Sequence, residues 1–323
     1  MSAIARGAAC VAACVPTLLA IGATAARAQQ VADTTFDASV AQPAFAKRHP
    51  KVLFDEAHHN FHTATGRYKA FADLITHDGC LVTPNRAPFT LPELAGYDIL
   101  IISNALGSER MSDSTAARAA FTGPECDQVR DWVRGGGALL LIADHAPMGS
   151  AAKDLAARFG VDMRNGVTVD TTAGRFEQMN PTLLLYTRAN GGLGDHPILA
   201  GRDSNERVGR VLAFTGQSLT GPEGSTALLV LSPNARDLIV PSLQAAMTTD
   251  IAQAIPAAGR CQGLAFAFGK GCVVVLGEAA MLSAQIGGSA ANRFKMGMNV
   301  PGTDDRQFAL NIVRWLGRAL PNH

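Results

Sequence analysis

Short apolar segments that alternate with helical patterns constrain the fold of this chain more than any other feature. Three of them, Val52–Phe54, Tyr97–Ser103 and Ala138–Ala143, are continuously or almost continuously apolar, as buried strands are. Apolar residues at helical spacing follow them, for example Phe71 and Ile75. Parallel strands are joined by crossovers, usually helices, and these helices cover both faces of the sheet. The alternation therefore predicts an α/β domain with a largely parallel sheet.

The C-terminal part of the chain predicts two further elements. The segment Gly263–Glu278 (GLAFAFGKGCVVVLGE) is typical of a β-hairpin that turns at Gly269–Gly271. A final helix is expected from about Asp304 to Leu320, because Phe308, Ile312, Trp315 and Leu316 fall on one stripe. Since the sequence contains no internal repeat and no low-complexity linker, we expect a single domain over residues 51–320, preceded by an extended arm over residues 29–50.

The first 28 residues have the pattern of a secretory signal peptide. Arg6 precedes an apolar run from Ala8 to Ala26, and residues 26–28 form an A-x-A cleavage site. A membrane anchor is the alternative, but the run is rich in alanine, contains Pro16 and is short for a span. We therefore expect a periplasmic or secreted protein that has no membrane segment after cleavage.

Charge and cysteine content limit the partners and leave the disulfides open. Lys and Arg number 28 against 27 Asp and Glu, so the concentrated basic face that nucleic acids need is not expected. Of six cysteines, Cys10 and Cys14 belong to the predicted signal peptide. The other four allow three disulfide pairings, and their spacing fits no zinc motif. These four are Cys80, Cys126, Cys261 and Cys272.

Polar side chains follow the predicted strands at the points where the strands end. Ligands of open parallel sheets bind outside the carboxyl ends of the strands, so this edge is the predicted site. We assign catalytic roles to Glu56, His59, Asp144, His145 and Glu278. Ligand-binding roles are assigned to Asp55, His58, Asn60, His62 and Gln217.

Histidine and carboxylate side chains at one edge could hold a divalent metal ion, with His59, Asp144 and His145 as the ligands. A bound water would then be the nucleophile, and Glu56 or Glu278 the general base. Two alternatives stay open: metal-free acid/base chemistry by a histidine and a carboxylate, and a purely structural role in capping helices.

Other motifs carry less information. His58 and His62 have the i, i+4 spacing of helical zinc ligands, but Gly66 follows closely and indicates a loop. Gln217 and Ser218 lie after a strand, without the G-x-S-x-G frame of a serine hydrolase. The segment GDHPILAG predicts a turn.

Several segments together resemble the class I glutamine amidotransferase-like superfamily. They are GRYKAFADLI, LAGYDILIIS, VRDWVRGGGALLLIADHAP and FALNIVRWLG, and the resemblance covers roughly residues 52–320. Within the superfamily, the segments DEAHHNFH and GGALLLIADHAP resemble secreted domains of the DUF4350 type. The resemblance implies a three-layer α/β fold with a mostly parallel, flavodoxin-like sheet.

The resemblance also excludes one reaction. A glutamine amidotransferase carries a nucleophilic cysteine on the turn after the strand ALLLIA, where this chain has Asp144 and His145. A thiolate attacks the glutamine amide, so the protein is not a functional glutamine amidotransferase.

Three hypotheses on function follow from the sequence. The first is a secreted hydrolase-like protein with a His/Asp/Glu site, with or without a divalent metal ion. The alternative is a non-catalytic periplasmic module that binds a small molecule or a glycan. The third is a structural domain used for assembly, in which the acids and histidines would point apart.

Overall fold

A computed structural model describes residues 30–289 and 292–321, so the predicted signal peptide lies outside the described residues. The strands are β1 Val31–Ala32, β2 Lys51–Asp55, β3 Leu81–Asn85, β4 Ile99–Ser103, β5 Ala138–Ile142, β6 Asp162–Met163, β7 Gly166–Val169, β8 Phe176–Glu177, β9 Asn180–Thr187, β10 Arg210–Ala213, β11 Leu219–Thr220, β12 Thr226–Val230, β13 Arg236–Ile239, β14 Ile255–Pro256, β15 Cys261–Phe268, β16 Gly271–Leu276, β17 Ala284–Gly288 and β18 Arg293–Gly297. The helices are α1 Lys69–His77, α2 Leu91–Leu94, α3 Gly123–Gly135, α4 Met148–Ala157, α5 Pro197–Ala200, α6 Leu243–Ala246 and α7 Asp305–Leu316.

The largest sheet of the described residues has nine strands, in the order β3-β2-β4-β5-β16-β15-β11-β6, with β12 paired to β15. Its first five strands are parallel, and the remaining pairs are antiparallel. Numbered along the chain, the parallel strands have the order 2-1-3-4-5, which is the flavodoxin-like order. The predicted mixed α/β fold with a large, mostly parallel sheet is confirmed.

Both faces of the four inner parallel strands β2, β4, β5 and β16 are buried, because their residues alternate between two apolar cores, whereas the edge strand β3 is mostly exposed. Phe54, Ile101 and Leu140 lie in one core, which also takes buried residues from α1 and α7. Leu53 and Leu100, on the opposite face, join a second core with α3 and α4. Strands β4 and β5 are buried along their whole length, which explains why β5 is apolar throughout and β4 is apolar up to its last residue, Ser103.

The predicted hairpin and final helix are both present. In the hairpin, β15 pairs with β16 up to Phe268 and Gly271, so the turn lies at residues 269–270. Helix α7 ends at Leu316, four residues before the predicted end, and its residues Phe308, Ile312 and Trp315 are buried.

The chain before β2 lies on the domain. Strand β1 pairs with β17, Phe45 is buried in the first core, and the Ala44 amide donates to Asp78. In the described part of the chain, three further small sheets are built from the segments around the main sheet: β1-β17-β18, β10-β9-β8 and β14-β13-β7.

The four cysteines of the described chain are buried and free. Burial raises the pKa of the Cys126 thiol to about 11, and those of Cys80, Cys261 and Cys272 to about 12. In the hairpin Cys272 faces Ala267, so Cys261 lies at the far end from it. None of the helices described is both long and apolar enough to span a membrane.

Candidate functional site

A cavity of about 310 Å³ lies where the parallel strands reach their carboxyl ends. Loops after β2, β4, β5 and β16 each contribute polar groups to it, as the sequence predicts for an open parallel sheet. The polar and charged lining residues are Gln30, His62, Arg67, Asn104, Asp144, His145, Thr215, Glu278 and Gln285. The remaining wall is mostly apolar and includes Phe61, Met111, Met148, Phe214, Leu243, Ala280 and Met296. A larger cavity of about 710 Å³ lies elsewhere, beside Trp315 and the tip of the β15–β16 hairpin.

Two carboxyl groups, Asp144 after β5 and Glu278 after β16, belong to the cavity. Glu278 is fully buried, and its two oxygens accept the Ala280 and Met281 amides at 2.6 and 2.8 Å. Burial, together with the charge of Asp144, raises the pKa of Glu278 well above its usual range. Burial also raises the pKa of Asp144, although the nearby His145 opposes this shift. Two neighbouring buried carboxyl groups disfavour ionisation of both.

His145 is held in one tautomer. Its Nδ1 lies 2.8 Å from the carbonyl oxygen of Ala146, which can only accept a hydrogen bond. In the neutral imidazole the proton therefore sits on Nδ1, and the lone pair is on Nε2. The backbone amide of His145 donates to Asp144 Oδ1 at 2.7 Å, which orients the Asp144 carboxyl group.

His62 is held in the opposite tautomer. The amide Nδ2 of Asn104 donates to its Nδ1 at 3.1 Å, so the proton of the neutral ring is on Nε2. Asn104 Oδ1 accepts the Asp144 amide at 2.9 Å, which fixes the orientation of the Asn104 side chain. Complete burial, with the charges of Arg67 and His145, lowers the pKa of His62 to about 3. The ring also stacks on Tyr68, with the centroids 4.5 Å apart.

Two residues of the cavity wall hold unusual backbone conformations. Asn104 has a φ of 50° and Thr215 a φ of 134°, and for non-glycine residues such values are costly. The conformational cost is smaller at Asn104 than at Thr215, because asparagine tolerates the left-handed region. Such conformations persist only where surrounding contacts enforce them, and they concentrate at functional sites.

Gln217 supports the site from outside the cavity. Its side chain is fully buried, and Nε2 donates to the carbonyl oxygens of Ala143 and Asp144, both at 2.9 Å. The predicted ligand-binding residue thus contacts the backbone that carries Asp144.

A second polar cluster, Asp55, His58 and Glu125, lies outside the cavity lining. His58 Nδ1 lies 2.9 Å from Asp55, and its Nε2 lies 3.0 Å from Glu125 Oε1. Burial lowers the pKa of His58, but the hydrogen bonds and charges of both carboxylates outweigh burial and raise it. For Glu125, burial is outweighed by hydrogen bonds from Thr122 and by His58, which lower its pKa to about 2. Both ring nitrogens are occupied, so His58 has no free nitrogen for a ligand.

Three further predicted site residues, besides Asp55, His58 and Gln217, lie outside the cavity lining. Glu56 accepts the Ala64 amide and faces Arg86 at 3.7 Å. Asn60 bonds the His58 amide and so stabilises its own loop. His59 is exposed, with a left-handed φ of 50° that sets it apart from its neighbours.

The predicted metal centre does not assemble. Among residues 30–289 and 292–321, no three His, Cys, Asp or Glu side chains lie together as ligands of one ion. The prediction that His59, Asp144 and His145 bind one metal ion is therefore wrong. Asp144 and His145 line the cavity, whereas His59 is exposed to solvent.

Sequence reasoning missed Asn104, Arg67, Thr215 and Gln285. Asn104 directly follows β4, so the rule that placed Asp144 and Glu278 would have found it. Arg67 lies just before α1, and Thr215 and Gln285 come from segments outside the parallel strands; nothing in their local sequence indicates the cavity.

Comparisons with known proteins are informative on the fold. No family model matches the chain, and no curated protein matches it. The mmIFT52 N-terminal domain is similar with a TM-score of 0.56 and 12% identity, covering 83% of this chain and 97% of that domain. A ThuA-like protein from Bacteroides uniformis has a TM-score of 0.43 and 12% identity, covering 88% and 95% of the two chains. A GMP synthase-like protein from Thermoplasma acidophilum has a TM-score of 0.39 and 11% identity, covering 84% and 95%.

The ThuA-like and GMP synthase-like structures have TM-scores below 0.5, so the resemblance to the class I glutamine amidotransferase-like superfamily stays a prediction. Membership of the DUF4350 type stays a prediction, since no family model matches. The likeness to the mmIFT52 domain concerns the fold alone.

Proposed function

We propose that the protein is a secreted hydrolase-like enzyme whose acid/base centre comprises His145, Asp144 and His62. One observation carries the proposal: two histidines of one cavity are held in complementary tautomers. His145 offers a lone pair at Nε2, and His62 offers a proton at Nε2. Within the described residues neither of these nitrogens has a protein hydrogen-bond partner, which leaves both for a substrate and a water molecule.

The proposed reaction is attack by water on an electrophilic centre of the substrate. His145 Nε2 takes a proton from the water as its oxygen attacks, and then returns this proton to the leaving group. The Ala146 carbonyl, which accepts from Nδ1, stabilises the imidazolium that forms in between, and the nearby charge of Asp144 adds to this. His62 donates its Nε2 proton in a hydrogen bond to the substrate oxygen on which negative charge develops.

Glu278 has a supporting part in this proposal. Its oxygens accept two backbone amides and its pKa is raised, so it serves to hold the turn after β16 rather than to accept a proton from water. Glu56, the other predicted base, lies outside the cavity lining and is not used.

A matched pair of substitutions tests the proposal. We expect His145→Gln to lower turnover by about 100-fold or more, the usual contribution of a general base. His59→Gln makes the same chemical change at an exposed position and should leave turnover unchanged. Esters, amides, phosphoesters and glycosides form the substrate panel, with circular dichroism as the check on folding.

Retention of full turnover in the folded His145→Gln variant would contradict the proposed role. Absence of turnover in the unmodified protein would favour the second candidate, a non-catalytic module that binds a small molecule or a glycan. The occupied oxygens of Glu278 favour that candidate, because both oxygens of a predicted general base bind backbone amides. Under it, His145→Gln changes affinity only.

Export of the protein rests on the sequence of residues 1–28. We propose cleavage after Ala28, which the mass and the N-terminal sequence of the protein recovered from the periplasm or medium would test. An intact N-terminus on recovered protein would contradict cleavage.

A further inference from the structure

Arg67 is a cation of the cavity without a carboxylate partner. Among residues 30–289 and 292–321 no Asp or Glu forms an ion pair with it, although Asp144 and Glu278 line the same cavity. One guanidinium N–H, on Nη1, donates to the carbonyl oxygen of Phe61 at 3.3 Å. The Nε atom is buried and has no hydrogen-bond partner in the described chain.

The guanidinium is held in place before any ligand binds. Its central carbon lies 4.0 Å from the centre of the Phe61 ring, a cation–π contact that fixes the plane of the group. A planar, positioned guanidinium with spare N–H groups matches the two oxygens of a carboxylate or the oxygens of a phosphate.

The charges around Arg67 leave its positive charge largely uncompensated. His62 is neutral above pH values of about 3, and burial favours the uncharged form of Glu278. Asp144 is turned toward its own neighbours, with Oδ1 accepting the His145 amide. A small anion would supply the missing counter-charge.

Gln285 adds a second unsatisfied group to the cavity. Its side chain is 1% exposed, and Nε2 donates to Ser283 Oγ at 2.7 Å. The Ser283 hydroxyl donates to the Ala280 carbonyl at 2.7 Å, which fixes the orientation of the Gln285 amide. Oε1 is left buried without a partner in the described chain, and an unpartnered buried acceptor is costly. A ligand hydroxyl or amine would satisfy it.

We propose that the cavity takes a small organic anion that carries a hydroxyl or amine group, with Arg67 binding the anionic end and Gln285 Oε1 accepting from the hydroxyl or amine. The identification of this anion as the substrate rests on the proposed function. The binding step itself needs no turnover.

The test is calorimetric titration of the folded protein with four probes: glycolate, acetate, inorganic phosphate and the neutral acetamide. We expect the anions to bind and acetamide not to bind. Whichever of acetate and phosphate binds with the higher affinity identifies the anionic group that the site prefers. Glycolate should bind more tightly than acetate, because its hydroxyl reaches Gln285.

Substitutions assign each part of the binding. Arg67→Gln should weaken the anions by about 10- to 100-fold, which is the usual effect of removing a charge-assisted hydrogen bond. Arg67→Lys keeps the charge and should retain part of the affinity, and it also serves if Arg67→Gln fails to fold. Gln285→Met should remove the preference for glycolate over acetate. The control is Arg86→Gln at an exposed arginine outside the cavity lining, which should bind as the unmodified protein does.

Equal anion affinity in Arg67→Gln and Arg86→Gln would overturn the proposal, as would failure of the unmodified protein to bind any anion. A preference for glycolate that survives Gln285→Met would overturn the role of Gln285. If anions bind through Arg67 but His145→Gln leaves turnover unchanged, the proposed catalytic role fails while the ligand class stands. If turnover requires His145 but anion binding does not require Arg67, the proposed ligand class fails while the catalytic role of His145 stands.

Discussion

His58 and His62 lie four residues apart in one loop, but they differ in their hydrogen-bond partners and in the direction in which their pKa values are shifted. His58 lies between two carboxylates that occupy both ring nitrogens, and its pKa is raised. His62 accepts from the neutral amide of Asn104, forms no ion pair with a carboxylate among the described residues, and has a pKa of about 3. The first ring is committed to structure as a cation, whereas the second lines the cavity as a neutral donor. The difference shows that clustering of histidines in a sequence does not itself identify a site, because the partners of each ring decide its role.

The largest effect on stability is expected from His58→Gln. This change removes the cation between Asp55 and Glu125 and leaves two buried carboxylates facing each other. Breaking a buried ion pair costs about 3 kcal/mol of unfolding free energy. Urea denaturation at pH 6 measures it, and a loss no larger than that of His59→Gln would show that the cluster is not structural.

The pH dependence of that loss sharpens the comparison. Because the pKa of His58 is raised in the folded state, its contribution is fully present below its unfolded pKa and disappears as the pH rises through the folded value. The pKa of Glu125 is lowered to about 2, so its contribution is present above its unfolded value of 4.5 and disappears as the pH falls toward 2. The difference between the unmodified protein and His58→Gln should therefore be greatest between about pH 4.5 and 6.5. A difference that grows above pH 8 would contradict this assignment.

For His62 the sign is reversed. A folded pKa of about 3 means that the unfolded state binds the proton first, so His62 makes the fold less stable as the pH falls from about 6.5 to 3. His62→Gln should remove this part of the acid sensitivity, and urea denaturation at several pH values in that range measures it. An unchanged dependence on pH would mean that His62 is not neutral in the fold.

The substitution Asn104→Asp should make the surroundings of His62 resemble those of His58, by placing a carboxylate beside its ring. The carboxylate still accepts the Asp144 amide, but it replaces the donor to His62 Nδ1 with an acceptor. His62 must then carry a proton on Nδ1, and its pKa should rise from about 3 toward that of a histidine beside a carboxylate. Nuclear magnetic resonance titration of the ring protons detects this shift. Aspartate also tolerates the positive φ at this position, so the fold should persist.

The smallest effect is expected from His59→Gln, within about 0.5 kcal/mol of the unmodified protein. His59 is exposed and is not part of the cavity lining. The same urea denaturation measures it, and a loss of more than about 1 kcal/mol would show an unrecognised role.

The sequence predicted the parts of the site that follow from strand order. Asp144, His145 and Glu278 line one cavity because parallel strands bring their carboxyl ends to one edge, whatever the loops do. The roles of residues 55–62, in the loop after β2, were harder to predict, because backbone conformation decides which side chain reaches the cavity. The left-handed φ of His59 and the engagement of His58 by Glu125, 67 residues away, cannot be read from local spacing. Arg67 and Gln285 lie still further from the strand pattern, and only tertiary packing brings them to the cavity.

Asn104 has a consequence for redesign of the protein. Its single side chain joins the backbone of Asp144 to the ring of His62, and its backbone contacts Phe61 and Ile142. A mutant library that alters Met111, Leu243 and Met296 would change the shape of the cavity and leave these hydrogen bonds intact. One that includes position 104 would change the protonation chemistry and the shape together, so selection for a new substrate could not tell the two apart.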